Sequence, residues 1–186
     1  ASGTKFIVED GGTLFLNYGE IRNGCGDTWG GIINEGFVYV IGSGTQSDPS
    51  SFASIMHADT AVTMRGNGVL VLENALLDQN RVHVWVDGSK GDVFDYQELT
   101  GGISTPGPIH IEGSVFDCTE ALRVGPNAPD TYTDIGILLD DNDGGISEWY
   151  VAAGGTFHNC KTAIQARNAT AFVTGNTIGN NTGQNT

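Results

Sequence analysis

One pattern recurs along this chain and restricts its fold more than any other feature. A glycine or small polar residue precedes two apolar residues two apart, then an Asn or Gly, a bulky apolar residue, and finally Asn, Asp or Cys. The first copy is Gly12-Thr13-Leu14-Phe15-Leu16-Asn17, leading to Ile21, Asn23 and Cys25. Others run from Gly68 to Leu77, Asp78 and Asn80, and from Gly107 to Phe116, Asp117 and Cys118. Near the C-terminus Ala171 to Asn176 leads to Ile178, and a looser copy ends in Phe157-His158-Asn159-Cys160. The bulky residues 21, 77, 116, 157 and 178 stand 56, 39, 41 and 21 residues apart. A quantum of about 20 residues per coil fits one coil to the last gap and two each to the gaps of 39 and 41. The gap of 56 needs two coils plus an insertion, which Gly42 to Ser54 supplies.

A stack of coils explains each slot. Alternation such as Leu14/Leu16 puts two side chains on one face of a short strand. Coils about 4.8 Å apart let every strand pair in parallel with those above and below. Glycine and asparagine accept the left-handed backbone of tight corners, and aligned Asn17, Asn74 and Asn176 would form amide ladders there. Further strands are expected at Val82/Val84/Val86, Leu122/Val124 and Ala163–Ala166, and Lys5–Val8 also reads as a strand. An antiparallel β-sandwich is the rival, but hairpin signals are few and the spacing is quantised. The expected fold is therefore all-β: a single-stranded right-handed parallel β-helix, or solenoid, of seven to eight coils with loop insertions. Residues 1–186 read as one such domain, and neither end resembles a solenoid cap, so a module of a longer protein is expected.

The stretch from Gly12-Thr13-Leu14 through Asn23-Gly24-Cys25-Gly26-Asp27-Thr28-Trp29-Gly30-Gly31-Ile32 resembles secreted right-handed β-helix repeat proteins of type IX-secreting bacteria. The later segments Gly68–Val86, Gly113–Val124 and Asn168–Asn181 resemble the generic β-helix repeat. This resemblance implies an extracellular or cell-surface location and no particular chemistry. Asp59-Thr60-Ala61 also fits the short O-glycosylation pattern of such bacteria, beside the plainer reading of an ordinary loop.

Charge narrows the partners. With 8 Lys and Arg against 22 Asp and Glu, the net charge is −14, which disfavours nucleic acid. No apolar run approaches a membrane span, so no membrane insertion is expected. Polysaccharide, or neighbouring copies meeting through the solenoid ends, fit better. Three cysteines, Cys25, Cys118 and Cys160, read as buried thiols. If Cys118 and Cys160 lie two coils apart, roughly 10 Å separates them, beyond the reach of a disulfide.

Two acidic segments carry candidate sites. Asp140, Asp141, Asn142 and Asp143 offer hard oxygen ligands suited to calcium, although the run lacks a full EF-hand loop and reads equally as a solvated turn. Asp140-Asp141 also resembles the adjacent aspartates of pectin-hydrolysing β-helix enzymes, but their Gly-His-Gly and Arg-x-Lys segments are missing here. Trp85 with Asp92, Asp95 and Tyr96 would set an aromatic platform beside carboxylates, a common grip on sugar, or else a packed corner. His83 and His110 fall at outward positions by alternation, where exposure is expected. No Ser/His/Asp set, phosphate loop or dinucleotide fingerprint is present, and no catalytic residue is assigned.

Two functional readings follow. One is a non-enzymatic surface module serving adhesion, glycan binding or extracellular assembly, with calcium as the one cofactor suggested. The other is a polysaccharide lyase or glycoside hydrolase fragment. Three or more carboxylates or bases converging at one place would favour the second.

Overall fold

The computed structural model describes residues 3–24, 28–43, 51–88, 109–120, 122, 132–140, 148–151, 154–173 and 175–179. Its strands come in successive sets of three, each set here termed a rung. The first rung holds β1 (Phe6–Val8), β2 (Thr13–Asn17) and β3 (Glu20–Arg22), and the second β4 (Ile32–Asn34), β5 (Phe37–Ile41) and β6 (Ala53–Met56). Next come β7 (Thr60–Met64), β8 (Val69–Glu73) and β9 (Ala75–Asp78), then β10 (Val82–Asp87), β11 (Ile109–Glu112) and β12 (Val115–Asp117). The last two rungs are β13 (Thr133–Asp140), β14 (Glu148–Val151) and β15 (Thr156–Phe157), and β16 (Cys160–Arg167), β17 (Thr170–Val173) and β18 (Thr177–Ile178).

The architecture is all-β, with parallel strands gathered in three sheets and no α-helix among the described residues. Each ladder joins strands three places apart. The first sheet runs β1-β4-β7-β10-β13-β16, the second β2-β5-β8-β11, and the third β3-β6-β9-β12-β15-β18. β14 and β17 pair separately, with β14 packed beside β11.

The bulky slot of the repeat becomes one column of the third sheet. Ile21, Ile55, Leu77, Phe116, Phe157 and Ile178 are successive partners in register. Ile55 is a sixth member that the motif does not flag. The spacing needs correction, however. Leu77 and Phe116 sit on adjacent rungs, as do Phe116 and Phe157, so the gaps of 39 and 41 are each one rung plus insertions. Among the described residues the strands make six rungs, where seven or eight coils are expected, and residues 89–108, 123–131 and 141–147 lie outside the described residues. Leu122 is in no strand, and the first-sheet strand expected there is Thr133–Asp140 instead. Val124 lies outside the described residues.

Between the sheets lies a continuous apolar core containing Ile32, Val38, Ile55, Val62, Leu72, Leu77, Val84, Ile111, Phe116, Ile137 and Phe157. Removing apolar side chains from water on this scale is the main stabilising term, at about 25 cal/mol per Å². Two rung-heading glycines, Gly36 and Gly68, have a steric cause. A Cβ on Gly36 would lie 2.4 Å from the carbonyl oxygen of Gly12, and one on Gly68 the same distance from that of Asn34. Asn34, fully buried, clamps the same corner: its Nδ2 donates to Val69 O at 2.8 Å and its Oδ1 accepts from Gly36 N.

The expected Asn17–Asn74–Asn176 ladder does not form. Asn17 pairs with Ile41, and Ile41 with Glu73, leaving Asn74 one position further on, in a left-handed conformation (φ 46°). The corner slot after it is held by Ser114 and Asn176, whose side-chain oxygens accept from Ala75 N and Gly155 N. Backbone groups at this corner are thus satisfied by side chains of the following rung.

Cys118 and Cys160 are thiols that follow the register partners Phe116 and Phe157 by two and three residues, and so lie about one rung apart, not two coils. Their Sγ atoms donate to the carbonyls of Glu120 and His158, and burial pushes the Cys160 thiol up to about 12, with help from Asp117 and Cys118. Cys25 lies outside the described residues.

Candidate functional site

Of the residues singled out from sequence, Trp85 and Asp140 are described, while Asp92, Asp95, Tyr96, Asp141, Asn142 and Asp143 lie outside the described residues. Trp85 stands on β10 between Thr63 and Leu138, on the face opposite the core residues Val84 and Val86. Its Nε1–H is buried and has no acceptor among the described residues. Asp140 on β13 is in register with Asp87 and Arg167, and its carboxylate lies 3.9 Å from the Arg167 guanidinium.

Asp140 belongs to a ladder of charge. Arg65 donates to Asp87 at 2.9 Å, and Asp140 and Arg167 complete the row on the following rungs. A second ladder borders the other end of the first sheet: Arg81 donates twice to Asp59 (2.6 and 3.1 Å) and approaches Asp134, which accepts from Lys161 at 3.0 Å. The Arg81 hydrogen bond holds the Asp59 carboxyl below its usual range, against some desolvation. Thr60, the acceptor of the O-glycosylation pattern, is buried at the start of β7 and is not in a loop.

His83 was expected outside and is fully buried. Two consecutive residues turn inward at this level of the first sheet, Ala61/Val62 and His83/Val84, so strict alternation fails there. Its Nδ1 accepts from Asn80 Nδ2 at 3.2 Å while its Nε2 meets Thr133 Oγ1 at 3.1 Å, and the Thr133 hydroxyl donates to Asn80 O. That pattern fits a neutral imidazole protonated on Nε2. Burial depresses its pKa to about 3, a backbone hydrogen bond at Asp117 opposing. This network reads as a satisfied polar core.

The grouping that sequence reasoning missed is on the outer face of the second sheet. There Phe15, Tyr39, Val71 and His110 are successive partners in one row, and Asn17, Ile41, Glu73 and Glu112 in the next row on the same face. Phe15 and Tyr39 stack at 4.6 Å with planes 12° apart. Val69 and Val71 are buried on this side, with Phe37 and Tyr39 packed against them, and burial raises the Tyr39 hydroxyl pKa. Where this apolar strip ends, Glu73, His110 and Glu112 converge, each offering a ligand atom within 4.8 Å of the others.

His110 points outward as expected, but its side chain is only 11 % exposed. Its Nε2 lies 3.7 Å from a Glu112 carboxylate oxygen. Burial lowers the His110 pKa, with Glu112 opposing, while burial and the Glu112 charge raise that of Glu73. An imidazole and two carboxylates so placed can relay a proton, accept sugar hydroxyls, or ligate a cation.

Comparison with known proteins gives no match to a family model, a curated protein or a solved structure.

Proposed function

We propose that the chain is a right-handed parallel β-helix module of a secreted or cell-surface protein, serving adhesion, glycan binding or extracellular assembly without catalysis. The observation that carries this reading is the outer face of the second sheet, where exposed Phe15 stacks on half-buried Tyr39 in the row that leads to His110, flanked by Glu73 and Glu112. An apolar strip edged by carboxylates suits the amphipathic faces of a neutral sugar: ring C–H groups lie on apolar side chains and hydroxyls donate to carboxylates. The net charge of −14 argues against uronate polymers. Trp85, with Asp92, Asp95 and Tyr96, is a second candidate platform, and Asp140, Asp141, Asn142 and Asp143 a candidate calcium turn. The location rests on the resemblance of the Cys25–Ile32 segment. Exposed Phe6, Ile7 and Phe15 on the first rung, and Val173 and Ile178 on the last, support contact between copies through the ends.

A glycan array probed with and without calcium tests the binding reading. Selective retention of neutral glycans, weakened by Phe15→Ala, is expected. No retention under either condition, with a concentration-independent monomer in sedimentation, would remove both binding and self-assembly.

The convergence of Glu73, His110 and Glu112 favours a second reading, a polysaccharide lyase or glycoside hydrolase fragment. Release of reducing ends or unsaturated products from a polysaccharide panel, abolished by Glu112→Gln, would establish it in place of the first.

A further inference from the structure

We infer that Glu73, His110 and Glu112 bind one divalent transition-metal ion of the zinc class on the outer face of the second sheet. The three side chains come from two adjacent strands. Glu73 and Glu112 are direct register partners on β8 and β11, and His110 stands two residues before Glu112 on the same face of β11. The parallel ladder therefore fixes their spacing, and only side-chain torsions remain to be adjusted.

Distances suit a small cation. The three ligand atoms lie within 4.8 Å of one another, and His110 Nε2 and Glu112 Oε2 are already 3.7 Å apart. Tetrahedral zinc with bonds of about 2.0–2.2 Å needs ligand atoms roughly 3.4 Å apart. Side-chain adjustments of up to about 1.4 Å, within reach of rotamer shifts, close that set. Three protein ligands leave the fourth position to water or a ligand. An imidazole nitrogen in the set selects zinc, cobalt or nickel over calcium, which prefers six to eight oxygens.

Charge gives an independent reason. Along the first sheet, Asp59, Asp87, Asp134 and Asp140 each face an Arg or Lys. Glu73 and Glu112 face each other instead, and no Lys or Arg among the described residues lies within salt-bridge distance of either. Like charges directly opposite in a sheet are destabilising, and a dication between them converts that repulsion into attraction. The inference does not depend on glycan binding, since the probe is the metal alone.

The test is titration calorimetry of the whole chain with Zn²⁺ and, separately, Ca²⁺, together with the visible spectrum of the Co²⁺ form. One Zn²⁺ per chain is expected, with cobalt bands of a nitrogen- and oxygen-ligated ion and no comparable uptake of Ca²⁺. His110→Ala and the isosteric Glu112→Gln should each weaken zinc at least about 10-fold, while His158→Ala leaves it unchanged. Circular dichroism of each variant ensures that a loss reflects the site and not unfolding. Absence of stoichiometric zinc binding, binding indifferent to His110→Ala, or a cobalt spectrum of thiolate ligation that disappears on alkylating Cys118 and Cys160 would each overturn the assignment.

Discussion

Phe116 and Phe157 stack face to face, centroids 4.5 Å apart and planes within 6° of parallel, although 41 residues separate them in the chain. Both rings are buried, and they join adjacent rungs of the third sheet. Fixing two such rings in register is what makes the intervening insertions tolerable: the rung closes on the same partner however long the excursion.

Phe116→Ala should therefore destabilise the protein by about 3–5 kcal/mol, the cost of an aromatic-sized cavity in a core. Ile178→Ala, in the same column but on the last rung and largely exposed, should cost under about 1 kcal/mol. Equilibrium unfolding in urea compares the two, and equal costs would show that the column is not graded by burial.

At the repeat-heading corner, Gly36→Ala places a methyl 2.4 Å from a backbone oxygen and must displace a neighbouring rung. A loss of more than about 1 kcal/mol is expected. Gly68→Ala meets the same obstruction and should cost a similar amount. Thermal melts of both variants check this, and a melting point unchanged in either would show that the rungs can move apart freely.

The buried imidazole of His83 gives stability a defined pH dependence. Its folded pKa, about 3, lies below the ordinary 6.5, so between these values the unfolded chain holds the extra proton. Its contribution is fully present above pH 6.5 and is lost as pH falls toward 3, with a slope of up to about 1.4 kcal/mol per unit. Urea unfolding at several pH values should show that slope in the wild type and a shallower one in His83→Gln. Parallel curves would mean that His83 is not the group responsible.

Arg81 binds Asp59 through two hydrogen bonds in a half-exposed position. Arg81→Met should cost at most about 1 kcal/mol at low salt and less at high salt. Because Arg81 lowers the Asp59 pKa, the contribution is present above the ordinary carboxylate value of 3.8 and fades as pH falls through the lowered one. Denaturation at two ionic strengths tests this, and a loss that grows with salt would contradict it.

The column of bulky residues could be read from the chain because each marks its slot with apolar size and a flanking Asn, Asp, Cys or Gly. Ile55 escaped because its strand, Ala53–Met56, begins inside the Gly42–Ser54 segment that reads as a loop, although Gly36 heads its rung. The trio at Glu73, His110 and Glu112 escaped for a related reason. Assigning two coils between Leu77 and Phe116 sets Glu73 and Glu112 about 10 Å apart, whereas one rung plus residues 88–108 makes them direct neighbours. His83 was misplaced because period-two alternation assumes a straight strand, and consecutive inward residues violate it.

By itself the sequence determined that the strands are short, that glycine and asparagine turn the corners, and that like residues stack upon like. Those properties follow from local sterics and periodic hydrophobicity, which act over a few residues. Which rung meets which, and so which acids face each other across the second sheet, was decided only by the tertiary structure. Hydrogen-bonded register depends on where the chain returns after an insertion, and an insertion's length carries no periodic signal.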